Sequence, residues 1–410
     1  MLNKIIATYH HSFAGGSKNT SRLLNHLAKN SYDINAICLE TPQYFDYTKP
    51  SINLNKPSIT QEFSDVIDSN FLISSFLSEK ILNCIDDTVK LYLGVNLFPY
   101  GLTLANSLLL NANNDNHPNF VLHPVGSDIW QIGSKMKRQT KLLLENQIVT
   151  KTLTYSQIFA NEICNFFNIS STIEVVPPIL EVNTFYELDK PDKEKRRLIN
   201  GFTGKDFIIH HHSSMRPVKC PEVILKICIA FASISRSNCN LIMSGPIPFD
   251  ILKNLGIAIE KVSSEMQRFK YMSKTKNLKI FWTDLVQDVE YFIQMSDVEL
   301  NASLHDSFNI SLLESLGCGI PIISSNVVGI KEFLPEYKYF YSTQRLEFDE
   351  LSLVVKKEED KTKFFSIDEA VSMLLAVENK RGFEASGFNN YCLNQFSPET
   401  ISNQFISSAI

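Results

Sequence analysis

The sequence predicts an α/β protein of two Rossmann-like parallel-sheet domains facing a central cleft. Three observations carry that prediction. Short apolar, β-branched runs alternate with helix-period segments along the chain, the pattern of a parallel sheet whose crossovers are helices. The runs fall into two sets, separated by the charged, proline-bearing segment 186–205. The residues that follow the runs are polar or glycine-rich, and in an open parallel sheet ligands collect beyond the carboxyl ends of the strands.

Taken in order, the first set of strand-like runs is 4–8, 34–39, 89–95, 119–123, 152–154 and 173–176. The second is 207–211, 240–243, 278–281, 298–300 and 320–323. A chain of 410 residues accommodates two domains of about 150–200 residues each. The expected divisions are a domain at 1–185, a linker at 186–205, a domain at 206–382 and terminal helices at 383–410. With 44% hydrophobic and 20% charged residues and a net charge of −5, the composition is that of a soluble globular protein and argues against a nucleic-acid surface. No apolar run approaches the roughly 18–20 residues that span a bilayer, and the first residues read as a strand rather than a signal peptide. Eight cysteines are scattered without a CxxC pair, which points to reduced, buried thiols and a cytosolic home.

Four strand ends carry candidate chemistry. After the first strand, Gly15 and Gly16 precede a helix bearing Leu23, Leu24 and Leu27. Adjacent glycines let backbone amides approach a ligand at a helix N-terminus, although a plain turn reads equally well and no GxGxxG is present. The run 119–123 delivers His123, followed by Gly126, Ser127 and Asp128; His123 suits a general base or a hydroxyl partner, or a structural imidazole. The next helix carries Lys135, Lys137, Arg138 and Lys141, a solvated face or a contact for anionic lipid.

The second half opens with three consecutive histidines, His210–His212, then Arg216 and Lys219 three residues apart around Pro217. Side chains alternate along a strand, so the three histidines do not all converge on a metal, and no metal is expected. Two cations on a stiff loop suit a diphosphate, Arg as a fork and Lys as a point charge. The stretch 297–334 then reads as strand, loop, short helix and strand, with Asp306 and Glu314 eight residues apart. Asp306 and Ser307 stand where helix N-caps belong, beside amides that favour an anion.

These residues together give the chain a recognisable look. The segments Asp306-Ser307-Phe308, Leu312-Leu313-Glu314, Cys318-Gly319-Ile320-Pro321 and Lys331-Glu332-Phe333 resemble the E-x7-E region of retaining glycosyltransferase family 4 (glycosyl transferases group 1), whose fold is GT-B. Ser214 through Lys219 is similar to that family's donor-diphosphate motif, most of all to the branch making N-acetylglucosaminyl malate, and Gly15-Gly16 to its first-domain glycine loop. The resemblance implies an acceptor-side first domain, a donor-binding second domain, and last helices that cross back to the first. It implies that Arg216 and Lys219 neutralise a nucleotide diphosphate, that Glu314 holds ribose hydroxyls, and that Asp306 holds sugar hydroxyls. The amides of Asn309, Ile310 and Ser311 would touch phosphate, Gly16 would let the acceptor domain close on the donor, and His123 would serve as a catalytic histidine. Asp306 stands where the family usually has Glu, Asn309 where a Gly is common, and His123 two residues before the usual His.

The implied activity is retaining, metal-independent hexosyl transfer from a UDP- or GDP-sugar, with no cofactor, in surface polysaccharide or glycoconjugate biosynthesis. The acceptor would be a small molecule, a lipid-linked glycan or a protein, and the setting cytoplasmic, with peripheral contact at the inner face of a membrane. Two other readings stand beside it: a nucleotide-sugar 2-epimerase of the same architecture, and a non-catalytic partner or scaffold subunit.

Overall fold

A computed structural model describes residues 3–8, 15–30, 32–37, 52–55, 81–83, 88–111, 119–126, 129, 134–145, 149–262, 268–275, 277–356, 360–379 and 386–409. The chain divides into two compact units, Met1–Ile179 with Phe396–Ile410, and Leu180–Gln395.

In the first unit, β1 (Asn3–Thr8), α1 (Gly15–Lys29), β2 (Tyr32–Ile37), β3 (Ile52–Asn55) and β4 (Val89–Val95) are followed by α2 (Leu102–Asn111). Then come β5 (Phe120–His123), α3 (Ser134–Glu145), β6 (Lys151–Thr154), α4 (Gln157–Phe167) and β7 (Ile173–Val175). The seven strands form one sheet in the order β3-β2-β1-β4-β5-β6-β7, and every pairing is parallel. Parallel strands are covered on both faces and therefore read as continuous apolar runs; Ile5, Ile6 and Ala7 of β1 are wholly buried. Helix α4 shows how local sequence sets an element: Ser156 accepts from the Phe159 amide at 3.2 Å, and Asn168 ends it in the left-handed region at φ 51°, the usual polar start and αL stop.

The second unit begins with α5 (Lys190–Ile199) and β8 (Asp206–His212), then α6 (Pro221–Ala232), β9 (Asn238–Ser244), α7 (Phe249–Asn254), β10 (Glu260–Lys261) and β11 (Tyr271–Thr275). It continues with β12 (Leu278–Asp284), α8 (Val289–Gln294), β13 (Val298–Asn301), α9 (Ile310–Gly317), β14 (Ile322–Ser325) and β15 (Phe340–Tyr341). Three helices follow, α10 (Phe348–Lys356), α11 (Ile367–Asn379) and α12 (Ser386–Gln395). Its eight strands run β10-β11-β12-β9-β8-β13-β14-β15, parallel except for the β10–β11 and β11–β12 pairs. From β8 the chain moves to β9 and β12 on one side, then returns to place β13 on the other. The seam between β8 and β13 is therefore a topological switch point, where loops diverge and leave a crevice beyond the strand ends. A core of Phe202, Ile208, Ile242, Phe269, Phe281, Phe292 and Met295 fixes one face of this sheet.

Segment 186–205, expected as a linker, is instead bonded into the second unit. Asp189 caps α5 by accepting from the Asp192 amide at 2.9 Å. The helix then turns three cations toward the end of α8: Lys193 donates to the Ser296 carbonyl at 2.6 Å, Arg196 to the Gln294 side chain at 2.6 Å, and Arg197 to the Met295 carbonyl at 2.7 Å. Arg197 also pairs with Asp297 at 2.7 Å, and Asp297 accepts from the Ile208 amide at the start of β8 at 2.8 Å. Cations at a helix C-terminus satisfy its free carbonyls and its dipole, a tertiary use that a charged stretch does not announce.

The last helices separate. Helix α12 packs on α9 within the second unit, whereas α13 (Pro398–Ala409) packs on α1 in the first. Gln404 of α13 donates to the Val175 carbonyl at 2.9 Å. Replacing Arg197 with Ala should cost about 1–3 kcal/mol, the range for a partly buried charged hydrogen bond, read as a lower urea midpoint; an unchanged midpoint would show that α5 does not brace β8.

Candidate functional site

Strand β8 ends in a tight connection. Gly245, after β9, lies so close that a Cβ there would stand 2.1 Å from the Ser213 carbonyl, and its φ is +144°, a conformation and an approach that need glycine. Met215 and Cys220 both take left-handed backbone, with φ 51° and 42°. Between them Pro217–Lys219 makes one 3-10 turn, and α6 starts at Pro221. The turn leaves Arg216 exposed, with its Nε on the Ser214 hydroxyl at 2.9 Å, and brings half-buried Lys219 onto the carboxylate of Asp306. The Leu304 amide donates to the Val218 carbonyl at 2.9 Å, so the loops after β8 and β13 are stitched together at the switch point.

Asp306 does not cap α9 in the expected way. The cap is Asn309, held at φ 76°, and the helix begins one residue later. Asp306 instead accepts from the Asn309 amide at 3.1 Å while holding Lys219 with its other oxygen. Its backbone is pinned too, since its carbonyl accepts from the Gly329 amide at 3.1 Å. The Asn309 side-chain carbonyl accepts from the Ser311 hydroxyl at 2.6 Å, but its Nδ2 is buried without a hydrogen-bond partner among the described residues. A buried donor left unmade costs about 1–3 kcal/mol, so this amide awaits an acceptor beside the free N–H groups of the helix.

Glu314 is buried, and the sheet below explains why that is tolerable. His210 and His212 point to the same face of β8, their rings stacked at 5.2 Å. Glu299 of β13 reaches both: its Oε2 lies 2.7 Å from His210 Nδ1, and its Oε1 lies 3.1 Å from His212 Nδ1 and 3.0 Å from the His212 amide. His212 Nε2 then meets Glu314 Oε2 at 3.1 Å, and His210 Nε2 meets the Ser244 hydroxyl at 3.0 Å. Burial alone would discharge His212, but the Glu299 and Glu314 carboxylates outweigh it and lift its pKa to about 9. His210 touches only one carboxylate, and burial takes its pKa down. Burial works against the Glu299 charge as well, yet the two imidazoles hold that carboxyl down to about 2. Ligand atoms of His210, His212 and Glu299 lie within 4.8 Å of one another, a spacing open to a cation. The facing nitrogens and oxygens are also at hydrogen-bonding distance from one another. His211 faces the other way, onto the Leu300 carbonyl at 2.8 Å.

In the first unit, Gly15 and Gly16 open α1, while Ser127 and Asp128 lie outside the described residues. His123 ends β5 and is 2% exposed, edge-on to Tyr155 at 4.7 Å. Neither ring nitrogen has a hydrogen-bond partner among the described residues, and burial lowers its pKa to about 4, so it is neutral near pH 7. Sequence reasoning missed His212 and Glu299. The available signal was a Glu inside the buried run of β13, beside a strand whose histidines at i and i+2 share one face.

Residues 192–357 match the family described as glycosyl transferases group 1. A curated relative, N-acetyl-alpha-D-glucosaminyl L-malate synthase of Bacillus anthracis, is 25% identical over 217 residues, 51% of this chain and 50% of that protein. The chain thus spans about half the length of that relative in the match. Among solved structures, sucrose-phosphate synthase of Thermosynechococcus elongatus aligns with a TM-score of 0.70 at 12% identity, over 99% of this chain and 98% of that one. A glycosyltransferase from Rickettsia africae aligns at 0.66 and 15%, over 99% and 97%. HepE of Anabaena, solved with UDP and glucose, aligns at 0.66 and 14%, over 99% and 98%.

His123 provides a test with a pH sign. Its folded pKa lies below the unfolded 6.5, so its contribution to stability is full above pH 6.5 and is lost as pH falls toward 4. His123→Phe should remove roughly 1–3 kcal/mol of that acid-side loss, measured by denaturant unfolding at pH 7 and pH 4.5; equal losses in both proteins would contradict a neutral buried imidazole. Residues 192–357 thus match the glycosyl transferases group 1, and the alignments over 99% of the chain give it the GT-B fold.

Proposed function

We propose that the chain is a retaining glycosyltransferase that moves a sugar from a nucleotide-sugar donor, a UDP-sugar first of all, to an acceptor. The observation that carries this reading is the meeting of Lys219, Asp306 and the unsatisfied Asn309 amide at the N-terminus of α9. A cation, a hydrogen-bond donor lacking an acceptor and a helix dipole converge beyond the ends of β8 and β13, which is what a diphosphate requires. The family match over residues 192–357 supports the same assignment, as do the UDP complexes of HepE and the name of the Bacillus relative.

Each residue then has a task. Arg216, exposed and on a stiff turn, closes on the diphosphate as a fork. Lys219 has three donors, so it can keep Asp306 and still bind a phosphate oxygen. Asp306 takes sugar hydroxyls, Glu314 takes ribose hydroxyls, and the amides of Asn309, Ile310 and Ser311 take phosphate. As the bond from the anomeric carbon to the diphosphate oxygen breaks, negative charge gathers where these groups already point. The acceptor oxygen bonds to the same face of that carbon, and its proton passes to the leaving phosphate. The residue set supplies positive charge without calling on a metal. Cytoplasmic glycoconjugate or polysaccharide assembly is the setting this chemistry suits.

Arg216→Ala and Lys219→Ala should each slow donor turnover by about 2–4 kcal/mol in barrier, measured as release of free nucleoside diphosphate with an acceptor panel. Wild-type rates in both variants would dismiss the diphosphate site. Interconversion of donor epimers without acceptor would favour the epimerase, and binding without release the scaffold. Glu314→Ala should raise the donor KM severalfold and, because it takes one carboxylate from His212, lower the thermal midpoint as well; a lowered midpoint with unchanged KM would make that residue structural.

A further inference from the structure

The cluster beneath Glu314 has a property that the donor site alone does not demand. Glu299 and Glu314 come from different elements, β13 and α9; His212 of β8 bridges them, one ring nitrogen to each. Both nitrogens can donate only when the imidazole is charged, so the bridge is a pair of charge-assisted hydrogen bonds made by a cation with no more than a tenth of its side chain exposed. Glu299 is anchored further by the His212 amide and by His210, and His210 is anchored in turn by Ser244. The bridge therefore has one rigid end, in the sheet, and one end on the helix that carries the site.

We propose that His212 is a positioning residue, holding the Glu314 carboxylate ionised and aimed at the nucleotide through a buried Glu299–His212–Glu314 relay. The inference rests on the nucleotide-sugar reading of the site and adds a residue pair that touches neither donor nor acceptor. The groups facing His212 are His210 on its own strand, Glu299 from β13 and Glu314 from α9. Cys318 lies at the far end of α9, its thiol pushed up by burial and then by Glu314. Two carboxylates against one imidazolium hold His212 charged well above the ordinary histidine range. The sign follows: the folded pKa exceeds the unfolded one, so the relay is complete below pH 6.5 and is lost as pH rises through about 9. When His212 gives up its proton it keeps one donor for two carboxylates, and its hold on Glu314 weakens.

Glu299→Gln separates the relay from the site. The amide keeps the shape and removes the charge that holds His212 protonated, so the pH at which His212 loses its hold on Glu314 should fall. His212→Gln keeps a donor toward Glu314 but cannot titrate. The test is calorimetric binding of UDP, with GDP in parallel, to the full chain between pH 6.5 and pH 10, with treatment by EDTA as a further arm. Wild type should weaken about tenfold across that range, in keeping with one proton linked to binding. Glu299→Gln should weaken at lower pH, and His212→Gln should bind several times less tightly at pH 7 with no such step. The nucleotide's own titration is common to all three and cancels in their ratios. Arg216→Ala tells the two failures apart. Binding to wild type that Arg216→Ala weakens, with an unmoved midpoint in Glu299→Gln, overturns the relay alone. No binding of either nucleotide to wild type overturns the nucleotide reading and the relay with it. Loss of binding in EDTA would replace the relay with a metal. If the variants fail to fold, the imidazole signals of the intact wild type decide: a buried histidine still charged at pH 8 supports the relay, and none overturns it.

Discussion

Glu299 is an ionised carboxylate in the middle of a sheet, 1% exposed, and the seam between β8 and β13 is arranged around its needs. A lone charge there would cost several kcal/mol. Two imidazoles and a backbone amide remove most of that cost, and in doing so they fix where β8 stands against β13. Everything beyond the strand ends inherits that register. The loop that presents Arg216 and Lys219 starts one residue after the last of these imidazoles, and the loop that presents Asp306 starts soon after Glu299. Placement of the candidate site thus derives from an ion network directly beneath it, on rigid elements rather than loops.

Much of the fold was legible in the sequence because parallel sheets leave strong marks. Buried strands read as apolar runs, crossovers as helix-period segments, and both recur in order. The helix 157–167 shows the limit of what local signals can do well: serine before it, asparagine after it, an apolar face within. Where charge is used for tertiary bonding, the marks fail. The cations of α5 look like a solvated connection and are in fact the collar around the end of α8. The triple histidine resembles a metal tract; alternation correctly forbids all three from meeting, yet says nothing of the Glu on a neighbouring strand that engages two of them.

The candidate site was legible as a list and not as an arrangement. Arg216, Lys219, Asp306 and Glu314 stood out because cations and carboxylates at strand ends are conspicuous. That Lys219 and Asp306 would be partners depends on β13 lying beside β8, a fact of topology. That Asn309 rather than Asp306 begins α9 depends on a left-handed backbone that asparagine tolerates better than most residues. The consequence is chemical, since Asp306, relieved of capping the helix outright, keeps one oxygen for Lys219.

The return of residues 396–410 to the first unit has a bearing on how the molecule is made. During synthesis the strands of the first unit emerge before any of residues 180–395, yet α13, which lies on α1, emerges after all of them. The second unit has every element it needs while α1 still lacks its cover. The first unit is therefore completed only after the second, and a nascent chain must hold the bare flank of α1 in solution until α13 has left the ribosome.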